Sequence, residues 1–175
     1  YDFKSRSIIE SSVVRKFEHR NTPWHLVIND ELQVTPNHKI YTGNNWKKAK
    51  NLQIGDFIQT RGGICKIEEM KRVDKSITTY NIQVDDDNHN YFAEDYLVHN
   101  KSVVLPPNWP PDKPKPPRPT PPGGGNPQTS CFTGDTKIWM ADDTHKEIKD
   151  VQIGDNVKVC NTDTNEIITS EVCNT

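Results

Sequence analysis

The sequence AKNLQIGDF, residues Ala49–Phe57, recurs in a closely similar form as IKDVQIGDNV in Ile148–Val157. Both copies contain an apolar residue followed by Gln-Ile-Gly-Asp, and both lead into a stretch that favours a β-strand. A Gly-Asp pair is common in turns, so one copy alone would indicate only a turn. Two copies with matching flanks indicate a duplicated supersecondary unit. We therefore expect a fold with pseudo-two-fold symmetry.

The flanks of the two copies match as well. HKIYTGNNWKKA, from His38, precedes the first copy, and TKIWMADDTHKEI, from Thr136, precedes the second. Both read as β-hairpins, and they agree in register to within one residue. Elsewhere the chain consists of short β-branched or aromatic stretches bounded by Asn-Asp, Thr-Gly-Asn-Asn and Arg-Gly-Gly turns. No amphipathic helical pattern extends beyond about three turns. The sequence therefore predicts an all-β fold.

Each of these two hairpins supplies a second strand. The other predicted strands are Ile8–Phe17, Trp24–Ile28, Leu32–Val34, Lys39–Tyr41, Phe57–Thr60, Ile64–Glu68, Thr78–Val84, Tyr91–Phe92, Tyr96–Val98, Lys137–Met140, Val157–Val159 and Ile167–Val172.

The prolines of this 175-residue chain are concentrated in one segment. Eleven of the thirteen lie between Pro106 and Pro127, beside a Gly-Gly-Gly run. This composition favours an extended spacer, so we assign residues 101–130 to a Pro/Gly-rich disordered linker. The remaining residues suffice for one ordinary domain with a hydrophobic core. We expect 1–100 and 131–175 to form that domain together.

Charge and cysteine usage restrict the functional classes. The 22 basic and 24 acidic residues give a net charge of −2, which provides no general basic field for nucleic acid. No apolar run approaches a membrane span, and no leader sequence opens the chain, which begins at Tyr1 and so reads as a fragment or processed form. The four cysteines form no CxxC pair, so we expect neither a metal nor a cofactor. Of these, Cys65 and Cys160 read as small core or sheet residues, and Cys173 as exposed.

Four short elements carry side chains with reactive groups. SCFTGDT, Ser130–Thr136, places a cysteine directly after the linker, and VTPNH, Val34–His38, places a threonine three residues before a histidine. YNIQVDDDNHNYFA, Tyr80–Ala93, contains His89. LVHN, Leu97–Asn100, ends where the linker begins.

Together the four elements resemble the Hint fold of inteins and Hedgehog autoprocessing domains, and they are most similar to bacterial intein-like domains of type A. A lone TxxH is a weak signal, but the four elements in fitting strand context are specific. The resemblance covers Tyr1–Asn100 and Cys131–Thr175. It implies a horseshoe-shaped, all-β Hint fold and an autocatalytic, single-turnover protein-processing activity rather than a turnover enzyme.

The order of the elements departs from the family. There the Cys element comes first and the His-Asn element last, whereas here the order is reversed. Thr175 would continue naturally into Tyr1 as an interior stretch. We therefore interpret the chain as a circular permutant, or as a window across two tandem domains. Because permutation succeeds where termini are close, we expect Tyr1 and Thr175 to lie near each other.

The first expected reaction takes place at the Ser130–Cys131 bond. The Cys131 thiol attacks the Ser130 carbonyl, and this N-to-S acyl shift gives a thioester. An amide nitrogen leaves only when it is protonated, which His38 can do while the Thr35 hydroxyl helps to polarise the bond. Taken without the other motifs, His38 would instead read as an ordinary strand histidine bonded to backbone.

The second expected reaction takes place at the Asn100–Lys101 bond. The Asn100 side-chain amide attacks its own carbonyl, forms a succinimide and releases Lys101. The resemblance assigns His99 and His89 as the proton donors. The acidic loop around His89 lacks the glycine and glutamate of an EF-hand, so we discount calcium. Asn81 stands where inteins often have Asp, and the amide removes a charged partner of the catalytic groups.

The residue after Asn100 determines the products. Lys101 lacks the side-chain nucleophile of Cys, Ser or Thr, and Ser102 lies one position too far, so we expect no efficient splicing through a branched intermediate. Three reactions remain possible: cleavage before Cys131, cleavage after Asn100, and attack of the Lys101 α-amine on the thioester. Both scissile bonds flank residues 101–130, so we expect release of this segment, with its cyclisation as a minor product.

Two other functional classes stay open. The linker contains PxxP-like, basic sequence around Arg118, which suits a non-catalytic interaction protein that presents a polyproline II ligand. A conventional Cys-His hydrolase has no support beyond the residue types.

For the self-processing function, the partner is the chain's own flanking polypeptide, with neither nucleic acid nor membrane. We expect a monomer, with a domain-swapped dimer as the alternative. The resemblance suggests a bacterial origin, and a reducing compartment would suit the Cys131 thiol.

Overall fold

The computed structural model describes residues 8–85, 89–99 and 130–160. Within these residues the chain forms β-strands and a single short 3-10 helix, Ala49–Asn51, so the predicted all-β class is confirmed. None of the described residues belongs to a helix long and apolar enough to cross a membrane. The linker apart from Ser130, the predicted strand Ile167–Val172, and Cys173 lie outside the described residues.

The strands are β1 (Ile8–Thr22), β2 (His25–Ile28), β3 (Leu32–Val34), β4 (Lys39–Tyr41), β5 (Trp46–Lys48), β6 (Phe57–Thr60), β7 (Gly63–Lys66), β8 (Met70–Val73), β9 (Ile77–Val84), β10 (Asn90–Ala93), β11 (Tyr96–His99), β12 (Phe132–Thr133), β13 (Lys137–Trp139), β14 (His145–Glu147) and β15 (Asn156–Cys160).

The strands form two antiparallel sheets. The first has the order β15-β1-β9-β12-β3-β2-β8. The second has the order β14-β13-β10-β11-β4-β5, and β6 pairs with both β11 and β7. One cluster of buried side chains draws on both sheets, with Ile28 and Val34 from the first and Ile40 and Val98 from the second. The two sheets therefore share a hydrophobic core.

Strands from residues 130–160 pair with strands from residues 8–99. β12 lies between β3 and β9, β13 pairs with β10, and β15 pairs with β1. At the outer end of the last pair, Ile8 is opposite Cys160. The ends of the described residues are thus neighbours in the first sheet. The expected proximity of Tyr1 and Thr175 itself lies outside the described residues.

The two Gln-Ile-Gly-Asp copies adopt the same turn. In each copy the aspartate accepts a hydrogen bond from the backbone N–H of the glutamine, at 2.9 Å in the first and 2.8 Å in the second. Asp56 also accepts from Lys47 Nζ at 2.7 Å, and Asp155 from Lys146 Nζ at 2.8 Å. The intervening glycines have φ of +96° and +94°, the left-handed conformation that glycine adopts without steric cost. The structure therefore contains the predicted duplicated unit.

Two strands were not predicted. β8 is MKRV, which carries two charged side chains, and it forms because it pairs along β2 from His25 opposite Val73 to Ile28 opposite Met70. β12 has only two residues, and Phe132 is opposite both Val34 and Tyr80. Local sequence signals neither strand, since tertiary pairing produces both.

A tight hairpin joins β10 to β11. Ala93 is opposite Tyr96, and the two intervening residues, Glu94 and Asp95, both have positive φ, as in a type I′ turn. This register places Asn90 opposite His99 at the open end of the hairpin. His89 precedes Asn90 directly, so the turn brings the two predicted histidines to the same end of the hairpin.

Candidate active site

Thr35 and Cys131 are joined by two hydrogen bonds. The backbone N–H of Cys131 donates to Thr35 Oγ1 at 2.7 Å. In the other direction, the backbone N–H of Thr35 donates to the Cys131 carbonyl at 2.8 Å. Both residues are buried, and Cys131 carries a thiol. The pairing of β12 with β3 produces this geometry, because Cys131 precedes β12 and Thr35 follows β3.

His38 lies beside this pair in the interior. Its backbone N–H donates to the Thr35 carbonyl at 3.1 Å, which closes the TPNH turn. The imidazole ring packs on Phe132, with a centroid separation of 4.1 Å. The ring is fully buried, and neither of its nitrogens makes a hydrogen bond of regular geometry with a described residue. The structure therefore brings together the three residues predicted for the first step.

Burial sets the protonation state of His38. Burial lowers the pKa of the imidazole, and the nearby His99 acts in the same direction, while the backbone carbonyls of Ser130 and His99 act in the opposite direction; the resulting pKa is about 3. At neutral pH the ring is uncharged, with one N–H to donate and one lone pair to accept a proton. Such a ring can take a proton from one group and deliver it to another.

Hydrogen bonds also hold the Ser130 side of the Ser130–Cys131 bond. Asn81 Nδ2, from β9, donates to the Ser130 carbonyl oxygen at 2.5 Å. Asn81 Oδ1 accepts from Tyr91 Oη at 2.8 Å and from the backbone N–H of Ile82 at 2.8 Å. Ser130 Oγ donates to the Asn37 carbonyl at 3.2 Å. The carbonyl oxygen and the amide nitrogen of the Ser130–Cys131 bond are therefore both engaged.

Sequence reasoning missed these contacts on the carbonyl side. From sequence alone, Asn81 reads as the loss of a carboxylate and Tyr91 as part of a strand. A weak signal was present, because a tyrosine in a strongly apolar strand needs a hydrogen-bond partner for its hydroxyl. The identity of that partner depends on the pairing of distant strands.

His89 and His99 are near each other, as the β10–β11 hairpin requires. Their ring centroids are 6.5 Å apart, and the rings of Trp46 and His99 form a T-shaped pair with centroids 5.0 Å apart. His99 also lowers the pKa of His38, so this pair is coupled electrostatically to the site around the Ser130–Cys131 bond. Asn100 and Lys101 lie outside the described residues.

The remaining described cysteines have different surroundings. Cys160 is buried beside Phe92 and Trp139. Its backbone N–H donates to Asn90 Oδ1 at 2.8 Å, and its carbonyl oxygen accepts from Asn90 Nδ2 at 2.7 Å. Cys65 lies partly exposed in β7. Among residues 8–85, 89–99 and 130–160, no group of three or more His, Cys, Asp or Glu side chains is arranged to hold a metal ion.

The all-β fold, with a Thr-x-x-His turn at the amide nitrogen of a buried cysteine, defines the class of a Hint, or intein-like, domain. The chain belongs to the family described as the pretoxin HINT domain, whose model matches residues 4–106, more than half of the chain. This matched range contains Thr35, His38 and Asn81, whereas Cys131 lies beyond it. The resemblance to intein-like proteins is therefore confirmed.

The chain is also similar to a solved structure, the solution structure of a bacterial intein-like domain from Clostridium thermocellum. The sequence identity is 31%, the alignment covers 54% of this chain and 73% of that chain, and the TM-score is 0.46. No curated protein sequence matches the chain.

Proposed function

We propose that the chain catalyses its own processing at two peptide bonds. Membership of the Hint family supports autoprocessing in general. The observation that carries the specific reaction is the 2.7 Å hydrogen bond from the Cys131 N–H to Thr35 Oγ1, beside the buried ring of His38. The first cleavage is at Ser130–Cys131 and the second at Asn100–Lys101, and the substrate is the polypeptide of the same, monomeric chain.

The first step is an isomerisation. Cys131 Sγ bonds to the Ser130 carbonyl carbon, and the bond from that carbon to the Cys131 nitrogen breaks. The thiol loses one proton and the leaving nitrogen gains one, so no external acid or base is consumed. Neutral His38 can carry this proton, and its low pKa makes the transient imidazolium a strong acid towards the nitrogen. Thr35 Oγ1 holds the nitrogen in place during the transfer.

The second step breaks the bond after Asn100. The side-chain nitrogen of Asn100 attacks its own carbonyl carbon, a succinimide forms, and the Lys101 amine departs with a proton. His99 and His89 are the proton donors for this step. The position of His99 at the end of β11, directly before Asn100, supports this assignment.

The two cleavages act on the same segment. Hydrolysis of the thioester frees Cys131 Sγ and completes the first cleavage, so cleavage at both bonds releases residues 101–130. Attack of the Lys101 amine on the thioester carbonyl would instead expel Cys131 Sγ and close these residues into a ring as a minor product. This arrangement follows if the chain is a circular permutant of the family order. The antiparallel β1–β15 pair, with Ile8 opposite Cys160, supports that interpretation, because a join between the two strands would form a β-hairpin.

Two single substitutions test the proposal. Cys131→Ala removes the nucleophile, so we expect cleavage at Ser130–Cys131 to disappear while cleavage after Asn100 continues. Asn100→Ala should do the reverse. Intact-mass spectrometry of each protein during incubation with a thiol distinguishes the fragments. Retention of both cleavages in either variant would overturn the assignment of that residue.

A further inference from the structure

We propose that Asn81 is a catalytic residue of the first step and that its side-chain amide stabilises the negative charge which develops on the Ser130 carbonyl oxygen. The inference rests on the proposed function, because it requires an acyl shift at Ser130–Cys131. Tyr91 acts through Asn81 and is a positioning residue.

The donor lies where the charge develops. When Cys131 Sγ adds to the Ser130 carbonyl carbon, the carbonyl oxygen becomes an oxyanion in the tetrahedral intermediate. Asn81 Nδ2 is 2.5 Å from that oxygen, and Asn81 is fully buried. A fixed donor in a buried site stabilises a developing charge more strongly than water does, since it needs no reorganisation.

The orientation of the Asn81 amide is fixed by its neighbours. Oδ1 accepts from the Tyr91 hydroxyl and from the Ile82 backbone N–H, both at 2.8 Å. A flip of the amide would direct its NH₂ group at a backbone N–H, which has no lone pair to accept a hydrogen bond. Burial, assisted by the nearby Cys131, raises the pKa of Tyr91 well above its usual value, so the hydroxyl keeps its proton. Nδ2 is therefore held towards Ser130.

The strand order explains why this donor is available. β12 lies between β9 and β3, so the peptide bond just before β12 receives one group from each neighbour. Asn81 on β9 contacts its carbonyl oxygen, and Thr35 after β3 contacts its amide nitrogen. The two contacts act on the atom that gains negative charge and on the atom that leaves.

An amide is the appropriate group at this position. An ionised carboxylate has no proton to donate, and it would repel the developing oxyanion. Asn81 therefore supplies a neutral donor at this position, which an ionised aspartate could not.

The test measures thiol-induced cleavage at Ser130–Cys131 in the full chain carrying Asn100→Ala, so that only the first step is followed. Asn81→Ala should slow this cleavage about 100-fold, the usual effect of removing one oxyanion donor. Tyr91→Phe should slow it about 10-fold, because Asn81 keeps its donor but loses one constraint. The matched control is Asn90→Ala, which removes another fully buried asparagine amide, bonded to the Cys160 backbone, and should leave the rate within a few-fold of the parent.

Two further measurements separate catalysis from structural support. In a Cys131→Ala background, Asn81→Ala should leave the rate of cleavage after Asn100 unchanged. Asn81→Asp should be slower than the parent in the first step at neutral pH and should recover relative to the parent as the pH is lowered, since the introduced carboxyl can donate only when protonated. This second comparison also applies if Asn81→Ala does not fold.

The outcomes are distinct. If the parent chain cleaves and Asn81→Ala cleaves equally fast, or if both cleavages slow by the same factor, the role of Asn81 is wrong and the proposed function stands. An Asn81→Asp chain whose rate relative to the parent does not rise as the pH is lowered also contradicts the donor role. If the parent chain fails to cleave at Ser130–Cys131, the proposed function is overturned together with this inference.

Discussion

The hydroxyl oxygen of Thr35 lies 2.7 Å from the backbone nitrogen of Cys131 and accepts its hydrogen. The two residues are far apart in the sequence and meet because β12 pairs with β3. The contact holds the nitrogen that would leave in the proposed acyl shift, and it supplies an acceptor for a buried N–H.

Removal of the Thr35 hydroxyl should slow the first cleavage. Thr35→Val keeps the shape of the side chain and leaves the Cys131 N–H buried without its acceptor, at a cost of about 1–3 kcal/mol. If this cost raises the free energy of the transition state, the rate of cleavage at Ser130–Cys131 falls about 10-fold or more. Thiol-induced cleavage, followed by mass spectrometry in an Asn100→Ala background, gives the rate. Thr35→Ser keeps a hydroxyl and is the control. Equal rates for the valine and serine variants would contradict a role for the hydroxyl.

The buried His38 should make the protein less stable in acid. Burial lowers its pKa to about 3 in the folded state, whereas an unfolded histidine titrates near pH 6.5. Below about pH 6.5 the unfolded chain binds a proton that the folded chain does not, so the free energy of unfolding falls as the pH falls from about 6.5 towards 3. The slope from this one group approaches about 1.4 kcal/mol per pH unit.

Replacement of His38 by glutamine should remove that slope. Urea unfolding of the Cys131→Ala, Asn100→Ala double variant, with and without His38→Gln, measures the free energy of unfolding between pH 7 and 4. Burial also lowers the pKa of His25, but that contribution is present in both proteins and cancels in the comparison. Parallel pH curves for the two proteins would show that His38 is not the group that binds the proton.

The two copies of the duplicated turn should contribute equally to stability. Asp56→Ala and Asp155→Ala each remove a bond to a backbone N–H and an ion pair with a lysine, so each should lower the free energy of unfolding by about 1 kcal/mol. Asp74→Ala is the control, because Asp74 forms an exposed ion pair with Arg72, and such pairs contribute little. Chemical denaturation gives all three values. An effect at only one of the two turns would contradict their equivalence.

The sequence predicts the parts of this molecule that depend on local signals. The hairpins that begin at His38 and Thr136, and the two turns that follow them, are repeated in the chain, and each copy supports the other. β8 and β12 could not be predicted, because their residues become strands only through pairing with β2, β3 and β9.

The same division applies to the candidate site. Cys131, Thr35 and His38 each lie in a short motif, so sequence alone could associate them. The contact between Asn81 and Ser130 has no such motif, since it exists only because β12 pairs with β9. The contribution of Tyr91 depends on that contact in turn.

The central claim is that Cys131 attacks the Ser130 carbonyl and forms a thioester. Capture of that thioester by a small thiol tests it most directly, with mass spectrometry of the products. The account predicts a fragment that ends at Ser130 and carries the thiol as a thioester, together with a fragment that begins at Cys131, and neither product in Cys131→Ala. A chain that keeps its Ser130–Cys131 bond after prolonged incubation with the thiol would contradict the account.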